Sequence, residues 1–466
     1  MLFHTTEFAL LFVGTLFFAY SRDSTFRKSV LLGASYLFYA WFSARLLLVL
    51  IGVSCFDYFL AKQIVCQRDP TLKKLLLVAS VGTNLSILFF FKYIAWALGL
   101  GADLLGGNAP QWMTYSYHIP LPLGVSFYTF QSITYTVDVY RGKMTPAKNL
   151  LSYALYVAFF PHLVAGPIVK ASYLLRQLQD GPKVSLLQIR SGIFLVCSGL
   201  FKKIAIADNL APIVEQVYAR PAGQSQIDVV VATIAFAFQI YGDFAGYTDM
   251  ARGFARILGY DLGTNFNSPY FAAGIRDFWR RWHISLSTWL RDYLYISLGG
   301  NRSGVLTTCR NIMLTMVLGG LWHGANMTYM LWGLIHGVYI VCAHLISPPK
   351  FWARTPPWLR SSISIPSTFL LVCFTWIFFR ATSVNDALIL LKQLGHPGTI
   401  TQPVAYVVGL SCVTLTLDYV HSHFKLEYDS VILKHSFPFW TLCWGYVLAT
   451  LLFGNFSGGD FVYFQF

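Results

Sequence analysis

Twelve apolar runs follow one another along this chain with only short polar segments between them. They lie at roughly 6–20, 30–55, 74–98, 121–138, 151–168, 188–206, 228–247, 311–330, 330–347, 366–380, 404–420 and 438–454. A helix needs about 20 mostly apolar residues to cross a bilayer. In hydrocarbon its backbone amides can be satisfied only by each other. The repetition therefore predicts an all-α polytopic integral membrane protein with about ten to twelve membrane helices. Composition agrees: at 56% hydrophobic and 12% charged, the chain cannot close into a soluble globule without large exposed apolar patches. The first run lacks a preceding basic segment and reads as a membrane helix, not a cleaved signal. No soluble domain or internal repeat interrupts the pattern, so residues 1–466 form one expected membrane domain.

Two runs do not suit a straight crossing. Leu121 to Ser132 begins Leu-Pro-Leu-Gly, and Phe159 to Pro167 carries Pro161 and Pro167 on either side of His162. Irregular backbone at membrane depth is tolerated only where protein or a water-filled cavity covers it. Re-entrant segments around a cavity are the expectation. Orientation stays open, because Arg22, Arg27 and Lys28 follow the first run while Lys62, Arg68, Lys73 and Lys74 follow the second. Simple alternation would put these two basic loops on opposite sides. The net charge of +14 is spread through such loops, where it suits anionic lipid headgroups. Without a long basic tract or a nucleic-acid motif, nucleic acid is excluded as a partner.

Chemistry concentrates between Phe266 and His336. On a helical wheel, Phe278, Trp282, Leu286, Trp289 and Tyr293 share one stripe, with Arg280, Ser287 and Arg291 on the other side. One continuous helix lying at the membrane surface fits that pattern. Downstream, His323 falls in the middle of an apolar run, where a polar group is costly without a partner or a role. His283 sits among Arg and Trp, and His336 reads as a core histidine or a functional one. The charged residues near run ends, among them Lys202, Lys203, Asp243, Asp249 and Arg380, are expected to snorkel to the interface.

Several chemistries find no support. Asp243 and Asp249 are six apart, His421 and His423 lie in an apparent polar loop, and no H-x-x-x-H or H-E-x-x-H pattern occurs, so no metal site is expected. The eight cysteines include no C-x-x-C pair, and they signal neither a metal nor a disulfide framework. A G-x-S-x-G elbow and a Gly-rich phosphate loop are absent. A buried neutral imidazole in a cavity suits a general base that takes a proton from an attacking hydroxyl. Arg280, Arg281, Arg291 and Arg302 match phosphate geometry and are candidates for an acyl donor's phosphates or for lipid headgroups.

The block Trp279-Arg-Arg-Trp-His-Ile-Ser-Leu-Ser-Thr-Trp-Leu-Arg-Asp-Tyr-Leu-Tyr295, together with Leu321-Trp-His-Gly-Ala-Asn326, closely resembles the membrane-bound O-acyltransferases. Within them it is similar to the bacterial branch that serves alginate O-acetylation and teichoic acid D-alanylation. The likeness extends through Leu121 to Arg141, Phe159 to Pro167, Gly242 to Asp249 and the terminal Phe461 to Phe466. It implies a multi-helix fold around a central funnel, with His323 and His283 as the catalytic pair and residues 266–336 as the core segment. It further implies acetyl-CoA or a related thioester as donor, with no bound cofactor. The setting it implies is the bacterial inner membrane, with a periplasmic esterase-like partner that passes acetyl to an exported polysaccharide. Tyr463, in the aromatic tail 455–466 after a glycine-rich lead, is a candidate acyl carrier, because a phenol (pKa about 10) leaves well in onward transfer; interfacial anchoring of the tail is the competing role. Cellulose or peptidoglycan as final acceptor, a lipid or protein acyltransferase of the same fold, and a transporter with broken helices are the rival readings.

Overall fold

The computed structural model describes residues 3–106, 110, 119–163, 166–346, 354–427 and 431–457. Among these, all regular structure is helical. The helices used below are α1 (Thr6–Ala19), α2 (Ser24–Cys66), α3 (Pro70–Lys92), α4 (Val125–Tyr140), α5 (Gln226–Ile257), α6 (Ile275–Arg281), α7 (Ile284–Trp289), α8 (Val305–His323), α9 (Met327–Leu345), α10 (Pro357–Arg380), α11 (Val404–His423) and α12 (Ser436–Phe453). Eight of the described helices, namely α2, α3, α5 and α8 to α12, are long and apolar enough to cross a membrane. The other four expected runs fold as shorter pieces. These are α1, α4, the pair Leu150–Ala158 and Phe160–Leu163, and Leu186–Leu200 continued by a π-helix over Phe201–Ala207. Large apolar side chains such as Phe17, Leu306, Phe437 and Leu452 stand exposed, as lipid-facing positions do.

The described residues group into two compact units. One takes the chain up to Gly192 together with Ala251–Gly263. Its two long helices start on acidic caps: Asp23 accepts from the backbone of Thr25 and Phe26, and Asp69 from that of Thr71. Such caps satisfy amides that the first turn leaves open. Helix α2 bends at Ser43, whose φ of −161° and ψ of 112° are not helical. Buried Asp57 on α2 accepts from Ser80 at 2.6 Å and Asn84 at 2.8 Å on α3, and Ser80 lies 3.0 Å from Thr136 on α4. Interhelical hydrogen bonds of this kind join helices where lipid offers no hydrophobic drive, at about 0.6 kcal/mol each. The segment around His162 is tightly packed. Gly124 has φ +66°, and a Cβ there would meet the Leu163 carbonyl oxygen at 2.2 Å.

The second unit takes Ile193–Met250 and the chain from Thr264 onward. Here α8 and α9 form a hairpin that only glycine permits. A Cβ on Gly320 would meet the Tyr329 carbonyl oxygen at 2.2 Å, and one on Gly333 would meet that of Met316 at 2.2 Å. Small residues at such a seam let helix backbones approach closely. The break between the two helices falls at Gly324 to Asn326. The Asn326 side chain caps α9 by accepting from the Thr328 amide at 3.0 Å. His323 is therefore the last residue of α8 and not, as the continuous apolar run suggested, the middle of a span.

Two further expectations change in this unit. Lys202, Lys203, Asp243 and Asp249 do not snorkel. They are buried and paired, Lys202 with Asp249 at 2.8 Å and Lys203 with both Asp208 and Asp243 at 2.8 Å. Carboxylates from α5 and the helix after the π-turn reach the lysines, so the cost of burial is offset inside the protein. His421 is not in a loop. It lies on α11, buried, with Nε2 2.5 Å from the Tyr446 hydroxyl.

Candidate active site

The block from Asp277 to Tyr295 is not one surface helix. Helix α6 stops at Arg281, α7 starts at Ile284, and Leu290–Tyr295 is π-helical. The stripe expected to meet lipid is instead protein core, with Phe278, Trp282, Leu286 and Trp289 all buried. The break is made by His283, whose φ of +43° and ψ of 55° are left-handed. That conformation is uncommon for a non-glycine residue, and strained backbone of this sort gathers at functional sites.

A neighbouring strip of chain clamps the break. The Asn267 amide donates to the Arg281 carbonyl and the Ile284 amide to the Asn265 carbonyl, both at 2.9 Å. The Asn265 side-chain oxygen lies 3.3 Å from His283 Nδ1, and it accepts from the Ser285 amide at 3.1 Å and the Ser285 hydroxyl at 2.9 Å. His283 is wholly buried, with the Phe244 ring 4.7 Å away by centroids. Burial pushes its imidazole pKa down to about 3, so the ring is neutral at physiological pH.

His323 approaches from α8. Its ring is boxed by Trp322, Trp332 and Phe379 at centroid distances of 5.0, 5.2 and 5.1 Å. Trp322 also lies 6.1 Å from the His283 ring. The two histidines singled out in the sequence, forty residues apart, thus meet on one indole. His336 is different. Its Nε2 is 3.0 Å from the Thr375 hydroxyl, which fits the core-histidine role. Asn326 is committed to capping α9 and to donating to the Thr382 carbonyl at 2.8 Å.

Beside this cluster is a cavity of about 460 Å³ whose lining includes Arg276, Trp279, Arg280, Ser287, Arg291 and His344. Trp279 ties it to the aromatic box, standing 5.7 Å from Trp332. Of the four expected arginines, Arg280 and Arg291 line the cavity. Arg281 is paired with Asp277 at 3.0 Å and Arg302 is exposed, and neither is among the lining residues. Arg276 and Asn265 went unread in the sequence, and Trp279 was read only as part of the motif block. Asn265 stands immediately before Phe266, where the chemistry-bearing stretch was taken to begin, and the pair of amides flanking a ring in Asn265-Phe266-Asn267 was the available signal. Tyr463 lies outside the described residues.

Chemically, the site offers a pair of imidazoles, that of His283 neutral, in an apolar, aromatic enclosure next to a cationic cavity. That arrangement suits proton removal from a hydroxyl and binding of an anionic donor.

Comparison with known proteins identifies the family. Residues 145–385 match the model of the MBOAT, membrane-bound O-acyltransferase family. A probable alginate O-acetylase of Pseudomonas aeruginosa is 38% identical over 90% of this chain and 80% of its own length. A peptidoglycan O-acetyltransferase of Helicobacter pylori is 37% identical over 84% of this chain and 80% of its own. A teichoic acid D-alanyltransferase of Bacillus subtilis is 27% identical over 55% and 68%. With these likenesses and eight candidate membrane helices, the chain belongs to the membrane-bound O-acyltransferase family and is a multi-pass inner-membrane O-acyltransferase.

Proposed function

We propose that this protein takes an acetyl group from cytoplasmic acetyl-CoA and moves it through the membrane for O-acetylation of an exported polysaccharide such as alginate. The observation that carries the reading is the meeting of His283 and His323 on Trp322, beside a cavity lined by Arg276, Arg280 and Arg291. Guanidinium groups match the phosphates of coenzyme A. The indoles and Phe379 keep water from the thioester. An acceptor hydroxyl loses its proton to a site imidazole while its oxygen attacks the acetyl carbon, and the thiol leaves with a proton. On the periplasmic side an esterase-like partner receives the acetyl and places it on sugar hydroxyls. Tyr463 is the proposed carrier between them. Relatives named for acetylation of alginate and of peptidoglycan support acetyl as the acyl group.

The test is His323→Ala. Polysaccharide acetate falls by about 10²-fold or more if the His323 imidazole belongs to the acyl-transfer pair, the size of loss seen when a catalytic proton-transfer group is removed. Unchanged acetate content with normal membrane insertion overturns the assignment. Peptidoglycan as final acceptor is nearly as well supported by identity; acetate analysis of both polymers in a deletion strain separates the two. Tyr463→Phe keeps the ring and removes the hydroxyl, and full acetylation by that variant eliminates the carrier.

A further inference from the structure

The hydrogen bonds around Asn265 determine which nitrogen of His283 carries its proton. The Ser285 amide can only donate, and it points at the same Asn265 atom that faces His283 Nδ1. That atom is therefore the side-chain oxygen. The Ser285 hydroxyl, 3.5 Å from Nδ1, gives its hydrogen to that same oxygen at 2.9 Å. Nδ1 thus faces the Asn265 oxygen at 3.3 Å with no described donor turned toward it, so Nδ1 is the N–H and Nε2 holds the lone pair. Among the described residues Nε2 is buried with no hydrogen-bond partner, and so is the Asn265 side-chain nitrogen. Buried polar atoms are rarely left in this state unless a ligand or water completes them.

We propose that Asn265 is a positioning residue that locks His283 in the Nδ1–H form and so leaves Nε2 to take the proton of the acceptor hydroxyl. The proposal rests on the reading that His283 belongs to the acyl-transfer site. In the step, the acceptor O–H bond breaks and its proton goes to Nε2. The freed oxygen bonds to the thioester carbonyl carbon, and the C–S bond then breaks as the thiolate takes that proton. Nδ1–H is kept throughout, and the Asn265 carbonyl dipole steadies the imidazolium that forms in between. The left-handed backbone of His283 belongs to the same device. Asn265 holds the ring through its side chain and the next residue, Ile284, through its own carbonyl. The turn and the tautomer are thus set by one residue. The same logic operates where an Asn or Asp orients a catalytic histidine on unrelated folds.

The experiment compares Asn265→Leu and Asn265→Asp in purified protein with acetyl-CoA as donor. Leucine removes the acceptor oxygen, and kcat is expected to fall about 10²-fold with donor KM unchanged, because the proton is then free to sit on Nε2. Aspartate restores an oxygen facing Nδ1, and turnover returns to within about tenfold of the parent. The proposal is overturned if the leucine variant keeps parent turnover while His283→Ala is inactive, or if aspartate is as slow as leucine. If His283→Ala and His323→Ala both keep parent turnover, the acyl-transfer reading itself fails instead. A readout independent of variant folding is the ¹⁵N resonance of His283 in the parent protein. Nε2 is expected to be the unprotonated nitrogen, and a protonated Nε2 refutes the lock.

Discussion

Two regions of the second unit bury polar groups, and they treat them in opposite ways. Around the π-helix, each lysine meets carboxylates at 2.8 Å, and Asp418 accepts from the Tyr241 hydroxyl at 2.7 and 2.8 Å. That region is charged and has its partners supplied from within. Around Trp322 the groups are imidazoles and an amide ringed by aromatic side chains, and His283 Nε2 and the Asn265 amide nitrogen stay open. A closed network holds helices together. A site with open nitrogens keeps hydrogen-bonding capacity in reserve for a reacting molecule. The difference separates structural polarity from chemical polarity inside one membrane unit, which the sequence pattern of scattered charges and histidines does not do.

The sharpest way to break the comparison is Lys203→Met. It leaves Asp208 and Asp243 buried without their cation, and removing one partner of a buried pair costs about 3–5 kcal/mol. A large fall in the melting temperature of the detergent-solubilised protein is expected; an unchanged melt would mean that the network contributes nothing to stability. Gly333→Ala tests the support beneath the other region. Its new Cβ would meet the Met316 carbonyl oxygen at 2.2 Å, and overpacking of this kind costs about 1–3 kcal/mol. Because α8 carries His323, acetyl transfer should decline with stability, and an unaffected transfer rate would uncouple the hairpin from the site. The smallest effect is expected from Thr375→Val, which removes the hydroxyl beside His336. One hydrogen bond contributes about 1 kcal/mol, and transfer should change less than about twofold. A loss comparable to that of His323→Ala would move His336 from the structural class into the chemical one.

Much of the helical framework was legible, because hydrocarbon imposes one solution on an apolar run and that solution reads directly from hydropathy. The two histidines were legible through motif and surroundings. Three things were not. Hydropathy runs straight through Gly324 to Asn326, so it placed His323 inside a span; only the cap on Asn326 and the tight packing at Gly324 reveal the helix end. The wheel drawn through Asp277 to Tyr295 assumed unbroken helical backbone, which the left-handed His283 denies. And the paired Lys202 and Asp249 are 47 residues apart, a distance over which local pattern carries no information about pairing.

The π-turn at Phe201–Ala207 makes the ion-pair network depend on helical repeat. Lys203 and Asp208 are five apart, the repeat of an i→i+5 helix, and so they stand one above the other at 2.8 Å. On an ordinary α-helix, at 100° per residue, the same two side chains would sit about 140° apart around the axis. A one-residue deletion within the turn would instead bring the pair to the four-residue spacing of an ordinary α-helix, about 40° apart around the axis, where the bridge can still form. In this stretch loss of a charge is therefore more damaging than loss of one residue, whereas relaxing these seven positions to an α-helix at their present length would part the pair.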